Sequence, residues 1–358
     1  MQIKTIISGS GHYLPENIVK NEDFFQHAFM DESGKKLEKP AQEVAAKLEE
    51  ITGIRERRYL SPGLNTSDMG YFAAARALQD AQLDPEKLDY IIFAHNFGDV
   101  SARYLQSDMV PALAARVKHK LGIKNPNCIA YDLPFGCPGW VQGVIQADYY
   151  IRSGDAEHVL VIGAETLSRV IDPHDRDAMI FSDGAGATLH SALKSEGDVG
   201  LLSHKTRTDT VTETALLYMA PSHNPSYPEN RIFVKMNGRK LYEYAVTTVP
   251  GVVKEALYKA GITLSEVKKV LIHQANEKMD EAILKRLFRL YGLREIPEGL
   301  MPMSIQYFGN NSVATIPILY DRIIHQQMEG QELSSGDVVV FASVGAGMHI
   351  NAIVYRMP

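Results

Sequence analysis

FGCPGWVQGVIQADYYI, residues 135–151, places a cysteine between Gly136 and Pro138 and follows it with apolar residues at helical spacing. Proline suits the first turn of a helix, where its missing N–H would have had no partner. Cys137 is therefore expected at or just before that first turn, where unpaired N–H groups and the helix dipole favour a thiolate. A second stretch, FGNNSVATIPILYDRII at 308–324, opens on the same Phe-Gly pair and again reads as the start of a helix.

The likeness extends outward from this pair. ALQDAQLDPEKLDYIIFAHNF from Ala77 matches ALYKAGITLSEVKKVLIHQAN from Ala256, each a helix end, a polar loop and an apolar strand. SGDAEHVLVIGAE from Ser153 matches SGDVVVFASVGAG from Ser335. Three segments recurring in one order at nearly one separation indicate an internal duplication. Two long copies predict two similar halves, 1–193 and 194–358, packed together.

Buried strands are expected at 91–97, 128–133, 158–165, 269–275 and 337–345, with helices at 66–82 and 247–261 between them. Pro250 predicts that the second of these helices starts near it. The pattern is that of an α/β protein. In such folds ligands gather at the carboxyl ends of strands and the adjoining helix starts. Facing halves would thus bring Cys137, His273 of IHQAN and Asn310 of FGNNS into one central site.

The bulk composition narrows the function. The 358 residues are 45% apolar and 22% charged, ordinary for a globular enzyme. A net charge of −6 argues against general nucleic-acid binding. No segment approaches membrane-spanning length, and the first residues do not read as a secretory signal. The two cysteines, Cys128 and Cys137, lack metal-site spacing and cannot build a disulfide framework. A cytoplasmic location is expected. Cys128 reads as structural, and the DPHDRD cluster at 172–177 as a charged surface loop rather than a metal site.

With these motifs assembled, the chain resembles the thiolase-fold condensing enzymes and, among them, the ketoacyl-acyl-carrier-protein synthase III family. The resemblance rests on GIRERRYL (53–60), GAETLSRVIDPHDRDAMIFSDGAGA (163–187), IHQAN, FGNNSVATIP and the VGAGM near the end. It implies a thiolase-like fold layered α-β-α-β-α. It also implies an activity: an acyl primer moves from coenzyme A or a carrier to the cysteine, and a malonyl-carrier thioester decarboxylates and attacks it. On that resemblance Cys137, His273 and Asn310 are catalytic, Asn310 being chosen over Asn311 by the Gly-Asn-x-Ser pattern at 309–312. Backbone N–H groups of Cys137 and Ala346 form the oxyanion hole. Arg176, Gly238 and Asn276 bind the substrate's coenzyme A or pantetheine part. Lys278, Lys285, Arg286 and Arg289 dock the acyl carrier protein. A homodimer is implied, and no metal or redox cofactor.

The residue types suit that chemistry. A thiolate forms an acyl thioester without a strong base, and a neutral imidazole with a carboxamide can hydrogen-bond the negative oxygen of a decarboxylated thioester. The sequence departs from the family pattern at several places. Lys47 and Ile51 stand where the family carries tryptophan and arginine, Tyr242 and Val344 each replace phenylalanine, and 27–44 is longer and more polar, a cap over the entrance or a surface insertion. A divergent member is expected. Two other readings stay open: an acyltransferase or thioester hydrolase that forms no carbon–carbon bond, and a non-catalytic partner subunit.

Overall fold

A computed structural model describes residues 1–358. Its first sheet comprises β1 (Gln2–Tyr13), β2 (Tyr90–His95), β3 (Ile129–Pro134), β4 (His158–Thr166) and β5 (Asp183–Ser195), in the order β1-β5-β4-β2-β3. The second comprises β6 (Gly200–Thr208), β7 (Val267–Ile272), β8 (Val338–Gly345) and β9 (His349–Arg356), in the order β6-β9-β8-β7. Pairing directions repeat as well. The β2–β4 and β7–β8 pairs are parallel, while β5 and β9 run antiparallel to both their neighbours. Within these two sheets the only unmatched strand is β3, an edge strand of the first.

Helices fill three layers. The two stretches first quoted become α3 (Gly139–Ser153) and α6 (Thr315–Ile324), which lie between the sheets. Their apolar faces, among them Trp140, Val144, Ile316 and Leu319, share one core with Ile92 of the first sheet and Phe341 of the second. Trp140 meets Phe341 edge to face, with ring centroids 5.5 Å apart, and its indole N–H donates to Thr188 Oγ1 at 3.1 Å. Burying such a side chain without that partner would strand a polar group. Helix α1 (Ala41–Thr52) packs on Met179 and Ile180, and helix α2 (Thr66–Asp80) packs on the outer face of the first sheet. Helices α4 (Gly238–Ala260) and α5 (Glu277–Arg289) cover the outer face of the second. The resulting order is the expected α-β-α-β-α, and the turn at 196–199 separates the sheets.

Two expectations need correction. Helix α4 does not start near Pro250 but twelve residues earlier, at Gly238, with Pro250 buried inside it. An interior proline costs about 3 kcal/mol. The packing of Val249, Val252, Val253 and Leu257 against the second sheet offsets it. The strand expected to run to residue 275 ends at Ile272, so His273 lies just beyond its carboxyl end. No helix is long and apolar enough to cross a membrane.

Candidate active site

The carboxyl ends of β7 and β8 and the turn after β3 border a cavity of about 620 Å³. Cys137, His273 and Asn310 all line it, so residues from both halves meet where the repeat placed them. Cys137 sits in the turn before α3, next to the Pro138 cap, and stays partly open to the cavity. Its N–H donates to no main-chain oxygen. Burial, with the Glu165 carboxylate a smaller influence in the same direction, outweighs the Ser312 hydroxyl and pushes the thiol up to about 11. That corrects the expectation of a standing thiolate: the helix start does not offset the loss of solvent.

His273 is buried, with its backbone N–H donating to Ala342 O at 2.9 Å, and Nδ1 has no partner. Burial pulls its pKa down to about 4, so the ring is neutral at ordinary pH. The rest of its motif is structural. Gln274 donates to Pro302 O at 2.9 Å and accepts from Ser304 N–H at 2.9 Å, tying the end of β7 to the segment that leads to Asn310.

Asn310 is held from both sides. Its own N–H donates to Ile180 O at 2.9 Å, and its carbonyl accepts from Ser182 N–H at 2.9 Å. Its Oδ1 accepts from Ser312 N–H at 2.8 Å, which leaves the amide Nδ2 as the free donor. Gly309 precedes it at φ 56°, ψ −158°, a conformation open essentially to glycine, and a Cβ there would meet Ile180 O at 3.1 Å. Asn311 instead donates to Asp183 O at 2.8 Å and does not line the cavity.

The strip 179–182 that clasps Asn310 is fixed in turn by the GIRERRYL segment. Arg57, wholly buried, donates to Met179 O at 3.0 and 2.7 Å, and Arg58 N–H donates to Ser182 Oγ at 2.8 Å. Gly345, the last residue of β8, approaches so closely that a Cβ would stand 2.5 Å from Cys137 N. That approach sets Ala346 beside Gly136 and the cysteine turn.

Arg176, Gly238 and Asn276 also line the cavity, with Lys47, Ile51, Tyr242 and Val344. Asn276 also caps α5, its side chain accepting from Met279 N–H at 3.1 Å. Glu32, Lys39 and Glu43 reach the mouth, so the polar 27–44 segment borders the entrance. Lys278, Lys285, Arg286 and Arg289 are exposed on α5. Lys278 lies 3.5 Å from Glu50 and Lys285 2.9 Å from Glu281, while the two arginines carry no ion pair.

The DPHDRD cluster is not a surface loop. Asp172 and Asp175 are buried and, with His223, form a group of metal-ligand type. The Lys235 ammonium sits 2.6 and 2.9 Å from the two carboxylates and supplies their countercharge. Three residues near the sulfur were missed: Asn96, Glu165 and the contact of Ser312 with Cys137. Ser312 was visible as the last residue of Gly-Asn-x-Ser, but nothing in the sequence marked its hydroxyl.

A family model described as 3-oxoacyl-[acyl-carrier-protein] synthase III matches residues 131–210, and its C-terminal companion matches 257–357. The β-ketoacyl-[acyl-carrier-protein] synthase III of Oceanobacillus iheyensis is 33% identical over 351 residues, 98% of each chain. The chain belongs to the 3-oxoacyl-[acyl-carrier-protein] synthase III family. The crystal structure of 3-oxoacyl-[acyl-carrier-protein] synthase III from Aquifex aeolicus VF5 is 31% identical, has a TM-score of 0.80, and is matched over 98% of this chain and 99% of that one. The priming β-ketosynthase of the R1128 polyketide pathway is 26% identical at a TM-score of 0.80, over 99% and 96% of the two chains. The protein is accordingly a thiolase-fold acyltransferase that performs decarboxylating Claisen condensation in fatty acid or polyketide synthesis. Acyl carrier protein and acyl-CoA are the substrates its family uses.

Proposed function

We propose that Cys137 carries the acyl group and that His273 and Asn310 drive the condensation. In the first half-reaction the Cys137 sulfur attacks the primer thioester, and its proton passes to the departing thiolate. The tetrahedral oxygen is received by the N–H groups of Cys137 and Ala346. In the second, malonyl thioester loses carbon dioxide, and the electron pair left behind places negative charge on the thioester oxygen. Neutral His273 and the free Nδ2 of Asn310 donate to that oxygen. The α-carbon then attacks the acyl-cysteine carbonyl, the sulfur leaves and regains a proton, and a 3-oxoacyl thioester departs. Coenzyme A or a phosphopantetheine carrier enters as substrate, and no step calls for a metal or redox group.

The observation that carries this reading is the convergence of Cys137 from one half with His273 and Asn310 from the other in a single cavity. Arg176, Gly238 and Asn276 would lie along the pantetheine arm. The unpaired Arg286 and Arg289, with Lys278 and Lys285, would meet the acidic carrier protein. Edge strand β3, with Ile129 half exposed, offers the surface for a homodimer. Two free cysteines go with a cytoplasmic location.

Intact-protein mass spectrometry after incubation with a panel of acyl-CoA and acyl-carrier primers tests the reading. One primer is expected to add its acyl mass to Cys137, and Cys137→Ser to remove the adduct. Malonyl carrier protein should then yield a product longer by two carbons. Free acid or a transferred acyl group of unchanged length would favour the hydrolase or acyltransferase reading. Absence of any adduct across the panel would favour a silent subunit.

A further inference from the structure

A chain of hydrogen bonds ends at the sulfur of Cys137 and is used by none of the steps above. Glu165, at the end of β4, is wholly buried. Its Oε2 accepts from Asn96 N–H at 2.9 Å and from Asn96 Nδ2 at 2.5 Å, while Oε1 has no partner. Asn96 Nδ2 also donates to Ser312 Oγ at 3.0 Å. Ser312 Oγ lies 3.5 Å from Cys137 Sγ.

We propose that Ser312 is a catalytic hydrogen-bond donor to the Cys137 sulfur, aimed by Asn96 as a positioning residue anchored on Glu165. The direction of each bond follows from valence. An ionised carboxylate only accepts, so Asn96 must turn its NH2 toward Glu165, because the reversed amide would set two oxygens 2.5 Å apart. The second hydrogen of that NH2 then points at Ser312, whose oxygen is thereby an acceptor. The one remaining proton of the hydroxyl is left for the sulfur. A thiolate formed as the primer arrives receives a charge-assisted hydrogen bond there.

The backbone of Ser312 supports this role. Its φ of 52° is left-handed, a conformation that costs a non-glycine residue on the order of 1 kcal/mol or more. That conformation lets one residue serve all three catalytic groups. Its N–H orients Asn310, its hydroxyl reaches Cys137, and its main chain contacts the His273 ring. The requirement also explains why the thiol can be so poorly ionised at rest. Burial and Glu165 oppose the charge, and Ser312 stabilises it only once it forms.

The test is the pH–rate profile of Cys137 alkylation by iodoacetamide, read as the Cys137 peptide adduct so that Cys128 does not contribute. Besides Ser312, the charged or titratable groups facing the sulfur are Glu165 and His273, with His95 facing Glu165; none is altered. Ser312→Ala removes the donor. Asn96→Leu keeps the volume and adds no charge but presents no hydrogen to Ser312, so the bond that aims the hydroxyl at the sulfur is lost. Both are expected to slow alkylation at pH 8 by about tenfold and to move the profile up by about one pH unit. A loss of stability alone would not displace the profile. Profiles that superimpose on the parent's overturn the proposal. Should Ser312→Ala fail to fold by near-UV circular dichroism, Asn96→Leu decides alone. The inference rests on Cys137 as the nucleophile, but alkylation needs no substrate, so its outcome is separate from that of acyl loading.

Discussion

The two Phe-Gly turns began as one design and now do different work. In the first half the chain passes from Gly136 through Cys137 and Pro138 directly into α3 at Gly139. In the second it takes an extra excursion. Gly309 and Ser312 adopt left-handed φ values of 56° and 52°, a short 3₁₀ turn follows, and α6 starts only at Thr315. The straight junction presents a sulfur at a helix entrance. The delayed one bends the chain back so that a carboxamide reaches the same cavity with its oxygen already occupied by Ser312 N–H. Duplication supplied the geometry, and three residues of postponed helix supplied the second chemistry.

The comparison breaks first at its functional claim. His273→Ala and Asn310→Ala should lower condensation by about 10²–10³-fold while leaving acyl loading of Cys137 intact, because each removes a donor needed only for the decarboxylated thioester. Loading by mass spectrometry and carbon dioxide release measured on the same sample separate the two half-reactions. Full condensation in both variants would end the assignment.

The buried acidic segment that leads into the strip clasping Asn310 gives the next test. Lys235→Met leaves Asp172 and Asp175 buried without their cation and should cost about 3–5 kcal/mol of unfolding free energy. Its hydrogen bonds to Lys235, His174 and His223 hold the Asp172 carboxyl below the ordinary 3.8, despite burial pulling the other way. Asp172 therefore adds stability that is present above pH 4 and lost as the pH falls through its depressed value. The gap between parent and variant in denaturant titrations should narrow in that direction.

A smaller effect sharpens the contrast between the junctions. Gly309→Ala forces a Cβ onto a backbone that disfavours it and toward Ile180 O, and should cost about 1–3 kcal/mol. The least change is expected at the helix that follows β7, which has no counterpart directly after β2. Arg286→Glu with Arg289→Glu should raise KM for malonyl carrier protein roughly three- to tenfold without altering kcat. It should also flatten the salt dependence of KM.

Much of this was legible in the sequence because it lives in periodicity and order. Continuous apolar strands and Phe-Gly junctions set the repeat, and the repeat alone aligned Cys137 with Asn310. What stayed hidden depended on partners far away in the chain. DPHDRD looked like a solvated loop because Lys235, which lets it be buried, is 60 residues on. Pro250 looked like a helix start because the packing that overrides it comes from a sheet. The thiol looked activated because a helix entrance is visible in sequence and the depth of a cavity is not. Ser312 looked like punctuation because its left-handed backbone is set by Asn310 and the turn around it.

The clasp on Asn310 carries a last consequence. The main-chain groups that hold this asparagine, Ile180 O and Ser182 N–H, belong to the opposite repeat. A polypeptide cut near residue 197 would thus yield two fragments, one bearing the sulfur and the other an asparagine loop with nothing to grip. Chemistry would return only when the pieces reassociate, and an ancestral single-copy protein would have had to make that stitch between separate molecules.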